Sequence, residues 1–419
     1  MRKVFKFGGA SVRDAAGVRN VAGIINRYPD ENLVVIVSAM GKTTNALEKV
    51  VKSYFGKSGD AVKFLDEIRQ NHFGIINELF SGTKSPVFSK VGSLFVLLDG
   101  ILKNTPSEKY DFEYDKIVSF GELLSTVIVS EYLTLAGIEN RWADVRTLIK
   151  TDNTFREATV NIDRSAKLIQ DYCGTANERV ILTQGFLGST AENLTTTLGR
   201  EGSDYTASVF AYSLGSPEVV LWKDVGGVFN ADPVLFHEAV KFRTISYREA
   251  IELTFYGATV IHPKTIKPLQ DKNIPLRVKS FVRPEEDGTL ISSDTTSDSM
   301  ILSYIVKPNQ VLLSIMPRDF SFIVEENLSR IFSVFAAHRV KINVMQNSAV
   351  SFSVCADNDP LRVPALLKDL RKNFTILFNK DLQLFTIRHY NMATIDRLAS
   401  GKKIYLEQKS RNTIQLVMK

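Results

Sequence analysis

The sequence predicts an α/β protein: a mainly parallel sheet covered by helices, followed by a smaller ferredoxin-like βαββαβ unit. Two observations carry this. Over the first two-thirds, short β-rich runs alternate with helical patterns, which is how a parallel sheet with crossover helices is written in sequence. Beyond about residue 300 the rhythm changes to strand, helix, two strands, helix, strand. The length of 419 residues suits two to three domains, and 44% apolar with 23% charged residues is enough to build a core.

Strands are expected at Val4 to Phe7, Leu33 to Val37, Val180 to Thr183, Val219 to Trp222 and Leu276 to Ser280. Helices are expected at Asp14 to Arg27, in a helix-rich stretch from Thr44 to Lys103, and at Glu122 to Ala136, Asp204 to Ser213, Arg248 to Tyr256 and Pro263 to Asp271. The polar run SSDTTSDS, Ser292 to Ser299, reads as a linker that closes a first domain at residues 1–295. A second domain, 305–380, follows with strand Val311 to Met316, helix Glu325 to Ala337, strands Ile342 to Gln346 and Val350 to Cys355, helix Pro364 to Lys372 and strand Thr375 to Phe378. Residues 381–419 repeat part of that order: Leu384 to His389, a helix around Ala393 to Leu398, then Ile404 to Glu407 and Ile414 to Val417. This is too short for a second copy, so the first copy or another subunit must complete it to cover its sheet edges.

The 52 basic and 46 acidic side chains leave a charge of +6, spread along the chain. Such a balance suits anionic small molecules and does not imply nucleic acid. Cys173 and Cys355 form no CxxC pattern, so neither a disulfide framework nor a cysteine zinc site is expected, and the compartment reads as reducing. The five histidines have no metal-ligand spacing, and no metal site is expected. The N-terminus MRKVFKFGGAS lacks a signal-peptide core, and runs such as Leu33 to Val37 and Leu94 to Leu98 fall far short of the ~20 residues that span a bilayer. A cytoplasmic protein without a membrane span is expected.

Gly8 and Gly9 directly follow the first strand, with Ser11 and Asp14 resembling a capping box on the next helix. Taken alone, the pair is either a tight turn or a cradle where backbone N–H groups meet a phosphate. Lys6 shifts the weight to the second, since a lysine within an apolar strand is costly unless its ammonium reaches water or an anion. SAMGKTTN, from Ser38 to Asn45, imitates a P-loop, but Ile36 occupies the place of that motif's first glycine, and there is no GxGxxG. Glu122 in SFGEL is either a first-turn glutamate facing the helix dipole or a buried binding group. TTLGREGSDYTA, from Thr196 to Ala207, packs Arg200, a helix-capping Ser203 and first-turn Asp204 into one loop, as either a well-capped helix or an anion site. WKDVGGVFNADP brings Lys223, Asp224, Phe229 and Asp232 to a strand's carboxyl end, where open α/β sheets bind ligands.

Together KFGGAS, FGEL, TQGF, TTLGREGSDYTA, WKDVGGVFNADP and YGATVIHPKT resemble, in order and spacing over about residues 1 to 280, the aspartate kinases of the amino acid kinase family. The C-terminal unit and its partial repeat look like the paired ACT domains with which such kinases sense end-product amino acids. The resemblance implies the amino acid kinase fold and phosphoryl transfer from ATP, carried with Mg2+, to the side-chain carboxylate of L-aspartate, the entry to lysine, threonine and methionine synthesis. It implies that Lys6 neutralises the transferring group, that Asp204 holds Lys6, and that Gly8, Gly9 and Gly41 offer N–H donors. Arg200 would take a substrate carboxylate, Glu122 the α-ammonium, and Ser38, Thr44 and Ser203 further hydrogen bonds. Lys223, Asp224, Phe229 and Asp232 fall where the family holds the nucleotide. The loop NVMQNSA, with Asn343, Asn347 and Ser348, matches the effector-binding loop, although lysine-sensitive members tend to be acidic where this chain has Asn343 and Ala349. A homodimer or higher oligomer assembled through the C-terminal region is expected.

The chain departs from the family at four places. Val234 and Thr259 stand where arginine and lysine are common, Glu201 replaces a glycine, and Gly226 stands where proline is frequent. Lys223 and Lys264 are the candidates to supply the missing charge. A phosphoryl transfer to another amino acid or carbamate, and a non-catalytic amino-acid sensor, are the competing readings.

Overall fold

Every residue of the strand Leu33–Val37 (LVVIV) is buried, as a strand covered on both faces must be. The computed structural model describes all residues except Thr259, Val260, Ser299, Met300 and Phe320. Thr259 and the end of the expected linker therefore lie outside the described residues. The chain forms two compact units: residues 1–228, 241–251 and 260–295, and residues 229–240, 252–259 and 296–419.

In chain order the elements up to residue 292 are β1 (Lys3–Phe7), α1 (Ala15–Asn26), β2 (Leu33–Val37), α2 (Thr43–Gly56), α3 (Ala61–Leu79), α4 (Val87–Leu102), α5 (Tyr110–Val118), α6 (Phe120–Leu135), β3 (Asn140–Ala143), α7 (Val145–Leu148), α8 (Ile162–Gly174), β4 (Val180–Gln184), β5 (Leu187–Ser189), β6 (Thr195–Thr197), α9 (Gly202–Leu214), β7 (Val219–Lys223), β8 (Thr244–Ser246), α10 (Tyr247–Tyr256), α11 (Pro263–Asp271), β9 (Leu276–Ser280) and β10 (Thr289–Ser292). The sheet runs β3-β4-β2-β1-β7-β9-β10-β8, with β5 and β6 forming a separate hairpin. All its pairs are parallel except β9 with β10. The predicted strands are all present. The additions β3, β8 and β10 are short, and their mixed burial gives no apolar run to read. By length and composition Tyr110–Leu135 is apolar enough to cross a membrane, yet 78% of its most apolar window is buried inside the fold, as for a core helix.

Two expected caps move. Asp14 alone caps α1, its Oδ1 accepting from the Gly17 N–H at 2.8 Å, while Ser11 lies in the preceding 3₁₀ turn. Ser203 sits inside the first turn of α9 rather than capping it, and the cap position is Glu201 in the left-handed conformation.

The second unit contains β11 (Ser303–Pro317), α12 (Glu325–Ala337), β12 (Ile342–Asn347), β13 (Phe352–Asp357), α13 (Arg362–Leu370), β14 (Phe374–Arg388), α14 (Met392–Ala399), β15 (Ile404–Lys409) and β16 (Thr413–Met418). They form one antiparallel sheet, β12-β13-β11-β14-β16-β15. The partial repeat shares its sheet with the first copy. β11 and β14 are each 15 residues long and pair along their whole length, Ser303–Lys307 with Leu384–Arg388 and Gln310–Pro317 with Phe374–Leu382, with register shifts around Pro308. The two ACT-like halves are thus interleaved. One half buries Val311, Leu313, Val354 and Phe374 with Ile331 and Phe335 of α12 and Leu366 and Leu370 of α13. The other has one helix, α14, and its cluster of Tyr304, Phe385, Ile387, Leu416 and Met418 takes Ala231, Phe236 and Ala239 of the 229–240 segment where a second helix is missing.

Candidate active site

β1 and β7 flank the point where strand order reverses, the place where ligands meet the carboxyl ends of an open α/β sheet. Lys6 is the penultimate residue of β1 and Lys223 the last of β7. Trp222 locks these strand ends together: it is fully buried, stacks on Phe7 at 5.9 Å and meets Phe5 edge-on at 5.7 Å. Over them lies α9, whose small residues Ser203, Thr206, Ala207 and Ser208 are buried against the sheet and bring Asp204 down between the lysines.

Asp204 is 2% exposed; Lys6 Nζ lies 2.6 Å from its Oδ1 and Lys223 Nζ 2.9 Å from its Oδ2. Burial alone would push this carboxyl upward, but the two ammoniums outweigh it and hold it at about 2. Because the folded value is depressed, this stabilisation is fully present above the unfolded value near 4 and is lost as pH falls through about 2. Burial would also strip the Lys223 proton; Asp204, with Glu201 and Asp224 behind it, offsets that and holds the ammonium above its usual range.

The turn after β1 meets the turn after β2. A side chain on Gly9 would stand 2.7 Å from the Ala39 carbonyl oxygen, so only glycine permits the approach. Gly8 lies beneath the Lys6 ammonium. The Gly41 N–H donates to the Gly9 carbonyl at 3.0 Å, so Gly41 shapes the turn and its donor is spent within the chain. Ser38 is held through its backbone, donating to Phe7 and accepting from the Ser125 hydroxyl, and Thr44 is half-buried in the first turn of α2.

Glu122 is buried at the start of α6; its Oε1 accepts from the Ala39 N–H at 3.2 Å, while Oε2 has no partner. Burial raises its pKa to about 8 against the opposing pull of the Ala39 N–H and Lys6. The helix is fixed one turn later, where Gln184 Nε2 donates to Thr126 Oγ1 at 2.7 Å. Arg200 is exposed on the turn before α9. That turn is strained at Glu201 (φ 55°) and faces a second left-handed residue, Phe186 (φ 68°), whose ring leaves no room for a side chain at Gly202. Gly185 is likewise pressed against Ser203, so TQGF clasps the start of α9. Asp115 belongs to none of the motifs. Buried beneath the hairpin, it accepts from the Thr197 N–H and hydroxyl and from the Arg156 N–H, anchoring the strand that leads to Arg200, and burial raises it to about 6. Nothing in the sequence singles it out, since YDFEYDKIV also carries Asp111, Glu113 and Lys116 around it.

The structure brings together Lys6, Gly8, Gly9, Asp204 and Lys223, with Glu122 near enough to feel the Lys6 charge. Asp224 is exposed beyond β7. Phe229 and Asp232 belong to the second unit, where Asp232 Oδ1 accepts from the Val234 N–H. Lys264 donates to the Leu198 carbonyl and lies over the Tyr205 ring. Of the expected effector residues, Asn343 is committed to Lys307, Gln310 and Asp357, Ser348 to Ser351, and Asn347 is exposed at the end of β12.

The amino acid kinase family pattern matches residues 1–280. Similar proteins include aspartokinase 1, chloroplastic, of Arabidopsis thaliana, 34% identical over 377 residues that cover 85% of this chain and 64% of that one. The lysine-sensitive aspartokinase 3 of Escherichia coli K12 is 31% identical over 383 residues, 88% of this chain and 82% of its own. This chain therefore spans just under two-thirds of the plant relative. Among solved structures, E. coli aspartokinase III in complex with lysine and aspartate superposes with a TM-score of 0.84 at 26% identity, covering 99% of this chain and 95% of that one. Its complex with aspartate and ADP gives 0.82 at 25% identity, covering 100% and 96%.

Proposed function

The chain belongs to the amino acid kinase family, among its aspartokinases, and we propose that it transfers the γ-phosphoryl group of ATP to the side-chain carboxylate of L-aspartate, giving 4-phospho-L-aspartate. The observation that carries this is the buried carboxylate of Asp204 holding the Lys6 ammonium over Gly8 at the strand-order reversal, a site built for a phosphoryl group. A substrate carboxylate, with an ordinary pKa near 4, is already ionised at neutral pH, so attack needs no general base. Catalysis then rests on alignment and charge neutralisation. Mg2+ arrives as the counter-ion of ATP.

At the acceptor end, the unpartnered Oε2 of Glu122 suits the α-ammonium and the exposed Arg200 guanidinium suits the α-carboxylate. Residues 1–295 are read as catalytic and the ACT-like units as regulatory, sensing an end-product amino acid. Since Asn343 is already bonded on three sides, the effector would meet the exposed end of β12 around Asn347 instead. We place the protein in the cytoplasm as a homo-oligomer, the edge strands β12 and β15 offering the pairing surface. The test is a hydroxylamine trap of acyl phosphate with MgATP and L-aspartate, with L-glutamate as control and lysine, threonine or methionine added in turn. Aspartate-dependent hydroxamate is the expected result; none from a folded protein would sink the proposal in favour of an amino-acid sensor.

A further inference from the structure

We propose that Glu201 is a ligand of the Mg2+ that accompanies ATP, reaching it through its buried oxygen Oε2. The inference deepens the aspartate-kinase reading and rests on it. Glu201 stands on the turn that runs from Arg200 at the acceptor end to Asp204 between the lysines. Its backbone is left-handed (φ 55°), a conformation that glycine takes freely and that a residue with a Cβ resists. It occupies the cap position of α9 without making a side-chain cap bond, so the glutamate is not there to finish the helix. Its Oε2 is buried and has no hydrogen-bond partner among the described residues, although the Lys223 ammonium is near enough to feel its charge. A buried carboxylate oxygen beside a phosphate site is costly twice over, through lost hydration and through repulsion, unless a cation comes between.

The two substrates bring two cations, the α-ammonium of aspartate and Mg2+. Apart from Asp204, which the lysines take, two carboxylates of the site have a buried oxygen without a partner: Glu122 and Glu201. Their surroundings separate them. Glu122 feels Lys6 near the end of β1, whereas Glu201 acts on Lys223 at the end of β7, the strand that leads into the expected nucleotide loop. The α-ammonium thus falls to Glu122 and the metal to Glu201. From Asp224 to Val240 the chain has no lysine or arginine, so beyond Lys223 this segment offers nothing to neutralise a polyphosphate. No group of three or more His, Cys, Asp or Glu side chains among the described residues could cage a metal. Mg2+ asks for no such cage: it binds through one or two carboxylates, keeps several waters and takes other ligands from the phosphates. When bound, it supplies positive charge to the β- and γ-phosphoryl oxygens. Glu201 ties that charge, and the polyphosphate with it, to the head of α9.

The experiment is calorimetric titration of the full chain with ADP, once in excess Mg2+ and once in EDTA, for the wild type, Glu201→Gln and Glu201→Gly, with aspartate binding and thermal melting measured alongside. The wild type should bind ADP more tightly with Mg2+ than without. Both variants should lose about tenfold or more of that gain, since even a partner that only supports a metal ligand is worth that much. Metal-free ADP should bind the variants as well as the wild type or better, because a repelling charge is gone. Glu201→Gly relieves the left-handed residue and should melt at or above the wild-type temperature, so it carries the test should Glu201→Gln fail to fold. An equal loss of ADP affinity with and without Mg2+ would reduce Glu201 to a shaper of the turn and overturn the proposal. A gain from Mg2+ that survives in both variants, or none in the wild type, would overturn it as well, and weaker aspartate binding beside a surviving gain would give Glu201 the α-ammonium instead. Failure of the underlying reading shows separately, as no aspartate-dependent acyl phosphate from the wild-type chain.

Discussion

The two ends of the candidate site are built in opposite ways. At the phosphate end each charged group already has a partner, with Asp204 locked between Lys6 and Lys223. At the acceptor end Glu122 keeps a buried oxygen without a partner, and Arg200 lies open to solvent. Under the proposed reaction, the first end would be preorganised to stabilise a transition state, and the second would be completed by the aspartate it binds. Damage should therefore appear in kcat at one end and in KM at the other.

Lys6→Ala puts this contrast under the heaviest load. It should lower kcat by about 10³-fold or more with little change in aspartate KM, because the lost interaction strengthens as charge develops. Turnover close to wild type in that variant would remove Lys6 from the chemistry. Asp204→Asn comes next: it leaves two buried ammoniums without their carboxylate, and a loss of about 3–5 kcal/mol is expected in denaturant unfolding, together with most activity. An unchanged unfolding midpoint would mean the lysines are held by something else. At the other end, Arg200→Ala should raise the KM for aspartate about 10- to 100-fold and spare ADP binding. A defect on the nucleotide side would show the two ends to be reversed.

Glu122→Gln gives the smallest and most diagnostic effect. Since the folded value of about 8 lies above the unfolded one, the native state keeps a proton that the unfolded chain has lost, and wild-type stability falls as pH rises between the two. Glu122→Gln should flatten that decline and make the ligand-free protein more stable at pH 9, by a few kcal/mol at most. It should also weaken aspartate binding, because only the ionised carboxylate attracts an ammonium. Calorimetric titrations in buffers of different ionisation enthalpy should record proton release when aspartate binds the wild type near neutral pH, and none in the variant.

Much of this contrast is legible in the amino-acid sequence. Lys6 betrays itself as a charge in an apolar strand, and the glycines after it as a turn with a purpose. The convergence of Lys6 and Lys223 is not legible, because it depends on β1 and β7 lying side by side in one register. Nor does the sequence reveal that Gly41 spends its N–H on Gly9, or that Glu201 and Phe186 sit in left-handed backbone, since these follow from how two loops close on each other. The C-terminal sheet misleads for a different reason. The polar centres KPNQ of β11, exposed at Pro308 and Asn309, and NKD of β14, exposed throughout, split each long strand into two apparent short ones, so a shared framework reads as one copy and a fragment.

That shared framework has a mechanical consequence. At about 3.4 Å per residue, β11 and β14 each reach ~50 Å, and a backbone of fixed bond lengths cannot stretch to absorb a displacement at one end. A tilt imposed on the half carrying α12 and α13 must therefore be delivered to the half carrying α14, with the irregularity around Pro308 as the joint along β11. The two halves behave less like neighbouring modules than like the arms of one rocker.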